Sequence, residues 1–234
     1  MGTISIENLL LARKLAGGSG DNVELKEKEY IEKQFSSYAT STLSSVGHYA
    51  FTHCQNLTSV NFTNCVSIDS FAFNICKSLE TALFPKCEFI GRAAFTSCET
   101  LSTISFPECT MVSSNAFMSC YSLSYVNLPK CEMIKYAAFT RCYSLNTVSL
   151  PNCTKIESSV FNRCYNLLSL YLLGSSVCTL VNANAFGSTP IAGYTTSTGG
   201  IRGSIFVLSS LYNAYISATN WATYSARFVS VSNV

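Results

Sequence analysis

Two histidines and twelve cysteines are the residues of this 234-residue chain best suited to covalent or metal chemistry. Cys54, Cys65, Cys76, Cys87, Cys98, Cys109, Cys120, Cys131, Cys142, Cys153 and Cys164 recur at every eleventh position without a slip, and Cys178 follows after a longer gap. Thiols in such numbers suggest disulfides or metal ligation. Structural metal sites want close ligand pairs such as Cys-x-x-Cys, and none occurs, so no metal is expected. His53 beside Cys54 is the nearest approach, and Cys54 belongs to the ladder, where packing explains it. His48 offers a different chemistry. Shifted by two steps of the ladder it aligns with Ser70, and Gly47 with Asp69, a grouping that imitates a Ser-His-Asp hydrolase set. No strained nucleophile turn or oxyanion donor accompanies it. A surface hydrogen bond is the plainer reading, and no catalytic residue is assigned. Gly17-Gly18-Ser19-Gly20 lacks the lysine and spacing of a phosphate loop, so no cofactor is expected.

Two cysteine steps, as from Cys54 to Cys76, make one repeat unit. The apolar residues keep that period: Phe51, Phe73, Phe95, Phe117, Phe139 and Phe161, then Leu57, Leu79, Leu101, Leu123, Leu145 and Leu167. Fixed self-similarity of this length denotes a solenoid of stacked coils. In Leu57-Thr58-Ser59-Val60-Asn61-Phe62, Val60 and Phe62 alternate inward and Asn61 outward, as on a strand. Stacking turns these strands into a parallel sheet. Cys54, Cys65, Ile68, Ala72 and Phe73 fill the return side. Equivalent cysteines then lie about 4.8 Å apart with parallel side chains. Disulfides want Cβ atoms within about 3.5–4.5 Å, so the ladder reads as buried free thiols. Three extra residues within Leu173 to Val177 delay the cysteine to Cys178, and the frame resumes at Val181 and Ala185-Phe186.

The run Leu-x-x-Val-x-Phe-x-x-Cys from Leu57, followed by Ile68-x-x-x-Ala72-Phe73-x-x-Cys76, repeats from Leu79, Leu101, Leu123 and Leu145, with Pro85, Pro107, Pro129 and Pro151 after the strand. It resembles the BspA-like leucine-rich repeats over residues 35–191, although the unit is one residue shorter than is usual there. The resemblance implies an α/β leucine-rich repeat solenoid with a parallel sheet on one face. It also implies surface adhesion and binding of host or matrix proteins.

The flanks differ from the repeats. Residues 1–20 read as a flexible segment ending in Gly17-Gly18-Ser19-Gly20. In it Arg13-Lys14 follow the apolar run instead of preceding it, unlike a secretory signal. Residues 21–35 read as a charged helix covering the solenoid end, with Ile31 and Phe35 inward. Residues 192–234 read as a mixed C-terminal cap of the same domain: a loop over 193–203, a strand over 204–208, a helix from Ser209 or Ser210 to Trp221, and a strand over 228–231, with Trp221 in the cap core. Domain 21–234 is therefore single. A net charge of +2 gives no reason to expect nucleic acid, and no run of 18 apolar residues marks a membrane span.

Function then falls to the exposed columns. Ser59, Thr81, Thr103, Tyr125, Thr147, Ser169 and Asn61, Leu83, Ser105, Asn127, Ser149, Tyr171 make an uncharged, hydroxyl-rich face suited to a protein or glycan partner. A solvated face of good strand formers is the plain alternative. Tyr121, Tyr143 and Tyr165 form a second column, with Arg141 and Arg163 two residues earlier, either interface anchors or a ladder that only stabilises the coils. Lys86, Glu108 and Lys130 alternate in sign. Candidate partner-binding residues are Tyr125, Asn127, Tyr171, Tyr121, Tyr143, Tyr165, Arg141 and Arg163. The expected function is a non-enzymatic recognition or adhesion module. The rivals are a structural or assembly protein tethered by residues 1–20 and, more remotely, a hydrolase using His48. Oligomeric state and compartment are not legible; cell-surface use is implied by the resemblance alone.

Overall fold

The computed structural model describes residues 36–194 and 202–232. The helix expected over 21–35, the segment 1–20 and most of the loop over 193–203 lie outside the described residues.

Each coil contributes one longer strand and one two-residue strand. The longer strands are β1 (Ser37–Thr40), β3 (Ser59–Phe62), β5 (Thr81–Leu83), β7 (Thr103–Ser105), β9 (Tyr125–Asn127), β11 (Thr147–Ser149) and β13 (Ser169–Leu172). The short strands are β2 (Ser45–Val46), β4 (Ser67–Ile68), β6 (Phe89–Ile90), β8 (Met111–Val112), β10 (Met133–Ile134), β12 (Lys155–Ile156) and β14 (Thr179–Leu180). Strands pair in parallel with their equivalents one repeat unit away, as in Val60↔Ala82 and Ile68↔Ile90. The alternation is as expected: Val60 and Phe62 are buried, Ser59 and Asn61 half-buried. The seven short strands form one unbroken sheet.

The turns between the strands also bond coil to coil. Phe73 N–H donates to Ala94 O at 2.7 Å and Ile75 N–H to Thr96 O at 2.8 Å. To aim these groups, each turn from Tyr49 to Arg163 holds two left-handed residues four apart, for instance Phe71 and Ile75, then Ala93 and Ser97. Left-handed backbone costs a non-glycine residue about 1–2 kcal/mol. The turn bonds, with their buried backbone groups otherwise unpaired, hold it in place.

Two aromatic columns fill the interior. Phe95, Phe117 and Phe139 stack face to face with centroids 5.1 and 5.2 Å apart. Phe62, Phe84 and Phe106 stack likewise and meet the first column edge-on, Phe106 on Phe117 at 6.0 Å. The cysteines are all free and buried. They are donors as well as filler. Cys98 Sγ donates to Phe73 O of the preceding coil at 3.1 Å, and Cys65 Sγ to Ser67 O at 3.1 Å. Burial pushes the Cys65 thiol up to about 11 and the Cys109 thiol up to about 12.

The C-terminal segment extends the stack. β15 (Ser204–Leu208) pairs with β13, and β16 (Phe228–Val231) with β15. Two expectations are corrected here. The coil with the insertion sets Ile156 opposite Leu180, where an unbroken period would set it opposite Cys178. Leu180 is therefore the core residue, and Val181 is exposed. The expected helix to Trp221 ends at Ser217; Ala218 is extended and Asn220 left-handed, a state asparagine tolerates. That reversal turns Trp221 inward, where its Nε1–H donates to Cys178 O at 2.6 Å.

Candidate functional site

The long-strand face opens at its middle. β1, β3, β5 and β7 form one sheet and β9, β11, β13, β15 and β16 another, with no ladder joining β7 to β9. On either side the pairing is regular: Phe84 N–H donates to Ser105 O at 2.9 Å, and Leu128 N–H to Ser149 O at 3.1 Å. Among the described residues the equivalent bond from Phe106 to Asn127 is missing, as is the one from Ser124 to Ser102. The core beneath stays closed, since Phe95 still stacks on Phe117 and β8 still pairs with β10. The opening falls where the inward column changes from Phe106 to Leu128, so three stacked rings give way to an aliphatic side chain.

A cavity of about 200 Å³ results. Ile104 and Phe106 line it from the core side, Pro107 and Pro129 bound one end, and Ser105, Tyr125 and Asn127 supply the polar wall. Ile104 is half-buried, whereas Val60, Ala82, Val126, Val148 and Leu170 in the same column are fully buried. Thr103, Ser105, Tyr125 and Asn127 are all exposed, while their column mates on the flanking coils are half-buried. An unpaired strand edge presents main-chain donors and acceptors that water or a ligand must satisfy.

Of the sequence candidates, the opening brings together Tyr125 and Asn127. Tyr171 lies two strands away and stacks on Phe206 at 4.5 Å. Tyr121, Tyr143 and Tyr165 form a half-buried stack with centroids 4.8 and 5.2 Å apart, extended by Tyr194. Arg141 and Arg163 are exposed beside it in left-handed turns. Of the alternating charges, Lys130 pairs with Glu108 at 2.5 Å, whereas Lys86 donates to Asn64 Oδ1; Lys77 and Glu99 pair at 2.9 Å. Exposed pairs of this kind contribute little. The hydrolase set is not assembled. Tyr49 N–H meets Ser70 O, but among the described residues no hydrogen bond or ion pair joins His48 to Asp69 or Ser70. No group of three metal-ligating side chains occurs among the described residues.

The residues missed by sequence reasoning are Ile104, Phe106, Pro107 and Pro129. Their signal was the Phe106-to-Leu128 change within an otherwise aromatic column. A surface stack of Tyr49 on Phe71 at 5.0 Å, with Arg92 over Phe71, was also missed, because both aromatics fall between the periodic positions.

Comparison with known proteins bears on the fold. A family model described as BspA type Leucine rich repeat region (6 copies) matches residues 26–132 and 88–212. No curated protein matches the chain in sequence. A leucine-rich repeat protein of T. pallidum is similar in structure, with a TM-score of 0.59 and 24% identity over 73% of this chain and 86% of that one. A leucine-rich repeat protein from Eubacterium ventriosum gives a TM-score of 0.53 and 20% identity, over 73% of this chain and 47% of that one. Both share the stacked parallel coils. With the family match running from residue 26 to residue 212, the chain belongs to the BspA-type leucine-rich repeat family.

Proposed function

We propose that this chain is a non-enzymatic recognition or adhesion module that takes a protein partner on its long-strand face, centred on the opening between β7 and β9. The family is one of protein-interaction or surface repeat modules, which supports the class but names no partner. The observation that carries the reading is the interrupted ladder. It leaves main-chain donors and acceptors beside Tyr125 and Asn127, over an apolar floor of Ile104 and Phe106. Peptide groups of a partner loop match such an edge, and Tyr125, 53% exposed, adds the amphipathic ring that interfaces favour. Surface use is proposed on the family's ground. No helix among the described residues is long and apolar enough to cross a membrane.

The test is a protein and glycan array probed with the parent, with a Tyr125→Ala/Asn127→Ala double variant, and with Ser59→Ala as a control at the far end of the face. The expected result is protein binding that falls at least about tenfold in the double variant, the loss of one interface anchor, and stays in the control. Equal binding by parent and double variant overturns the reading. Binding confined to glycans moves the ligand class without moving the site.

A further inference from the structure

The thiol ladder departs from its own geometry at one step. Cys178 Sγ lies 3.8 Å from Cys153 Sγ and donates to it. Thiols throughout the ladder donate to backbone carbonyls, as Cys131 does to Met133 and Cys164 to Phe139, and Cys76 and Cys164 also neighbour the thiols of Cys54 and Cys142. The register sets the last pair apart. Cys65, Cys87, Cys109, Cys131 and Cys153 each stand two residues before their short strand, so their side chains stack in parallel. Cys178 stands one residue before Thr179, which pairs with Lys155. Cys178 thus stands one position out of the register that stacks the other thiols, and its sulfur comes within 3.8 Å of that of Cys153.

The place also differs. Cys153 is 6% exposed, under the insertion whose Ser175 and Ser176 face solvent. Cys178 is gripped by the C-terminal segment: its N–H donates to Tyr215 Oη at 2.9 Å and its carbonyl accepts from Trp221 Nε1. The hydrogen bond from Cys178 also holds the Cys153 thiol below its ordinary value, while that of Cys178 is raised by the same contact. Cys153, the more exposed of the two sulfurs, is the one a peroxide reaches first.

We propose that Cys153 and Cys178 are an oxidisable pair, converted by a peroxide into a cross-coil disulfide that staples the last coil to the C-terminal segment. The Cys153 thiolate attacks the peroxide, the O–O bond breaks, and a sulfenic acid forms with release of water after protonation. The Cys178 sulfur then attacks the Cys153 sulfur; the S–O bond breaks and the thiol proton leaves with the hydroxide as a second water. Two thiols and one hydrogen peroxide give one disulfide and two waters. The product closes a loop of about 25 residues in the unfolded chain.

The experiment treats the folded full chain with hydrogen peroxide, traps free thiols and maps linked peptides. Trp221 is the sole tryptophan and reports on the Cys178 carbonyl. The expected result is loss of one thiol pair, fragments that place the link at Cys153 and Cys178, a change in Trp221 fluorescence reversed by dithiothreitol, and a melting temperature raised by about 5–10 °C. Fragmentation decides the pairing in the parent, because tryptic peptide 142–155 also holds Cys142 and peptide 164–202 also holds Cys164. Cys178→Ala is expected to abolish the link and the fluorescence change, and Cys131→Ala to leave both. A link between Cys142 and Cys164, a Cys153 that ends as sulfinic acid without crosslinking, or thiols that oxidise only after unfolding each overturn the proposal.

Discussion

Phe117→Ala tests whether the coils share one filling. Phe117 is fully buried, stacked between Phe95 at 5.1 Å and Phe139 at 5.2 Å, and met edge-on by Phe106. Truncation of a buried Phe costs about 3–5 kcal/mol. The upper half of that range applies here, since two stacked pairs and one edge contact are lost together, each worth about 0.5–1.5 kcal/mol beyond burial. Phe51 has one stacked neighbour, Phe73, an edge contact with Phe62 and a tilted contact with Tyr38, and it is not fully buried, so Phe51→Ala is expected to cost less. The assay is urea unfolding followed by circular dichroism and by Trp221 fluorescence. With a slope of about 2–3 kcal/mol per molar, Phe117→Ala lowers the midpoint by about 1.5 M. Trp221 sits in the C-terminal segment, so a continuous core makes both signals shift together. A cost below about 1 kcal/mol, or a fluorescence midpoint that stays while the dichroism moves, refutes the shared filling.

Three further outcomes follow from the same geometry. Gly203→Ala places a Cβ 2.8 Å from Ile191 N and 2.9 Å from Leu167 O, both backbone, so calorimetry is expected to show a loss of about 1–3 kcal/mol where β15 joins the stack. Ile75→Asn is expected to stabilise by about 1 kcal/mol in urea titration, since Ile75 is β-branched at φ 61° and asparagine accepts that state. Cys65 and Cys109 keep their protons in the folded chain up to about 11 and 12, whereas unfolded thiols ionise near 9. Stability from this source is therefore complete below about pH 8.5 and lost as pH rises toward 12. The urea midpoint is expected to be level from pH 6 to about 8 and to fall above about 9, with labelling of Cys65 and Cys109 in the native chain at pH 8 negligible.

The periodic residues made the stack legible because the coil repeats every contact. Once Val60 faces inward, Ala82, Ile104 and Val126 must, and a register of one whole repeat unit is the only one that keeps them so. The strand over 204–208 alternates in burial as the repeat strands do, whereas that over 228–231 does not. The left-handed turns were not. Their positions carry Tyr49, Phe71, Ile75 and Arg141, with none of the glycines that ordinarily mark such backbone, because coil-to-coil bonds impose the conformation against local preference. Within the candidate site, Tyr125 and Asn127 were legible as exposed and uncharged. The opening beside them was not, since it depends on how Phe106 meets Leu128 across a step, which no single coil encodes. Leu180 was misplaced because the insertion is divided, two residues before the short strand and one after it, as the Phe161–Phe186 stack shows.

The opening also shows why a binding face can be separated from the fold that carries it. Each coil is tied to the next by the long-strand ladder, the short-strand ladder, the turn bonds and the aromatic columns. Between β7 and β9 the first tie is absent, yet Ser122 N–H still donates to Glu99 O, β8 still pairs with β10, and Phe95 still stacks on Phe117. A backbone hydrogen bond exchanged with water is worth about 1 kcal/mol net, while a buried Phe layer is worth several. The ladder can therefore open at one step at small cost, while the Phe95–Phe117–Phe139 column beneath runs through that step. Residues on the long-strand face are correspondingly free to differ from coil to coil, as Leu83, Ser105 and Asn127 do, over a core that repeats. The site proposed between β7 and β9 uses that freedom, on a face whose bonds the stack can do without at one step.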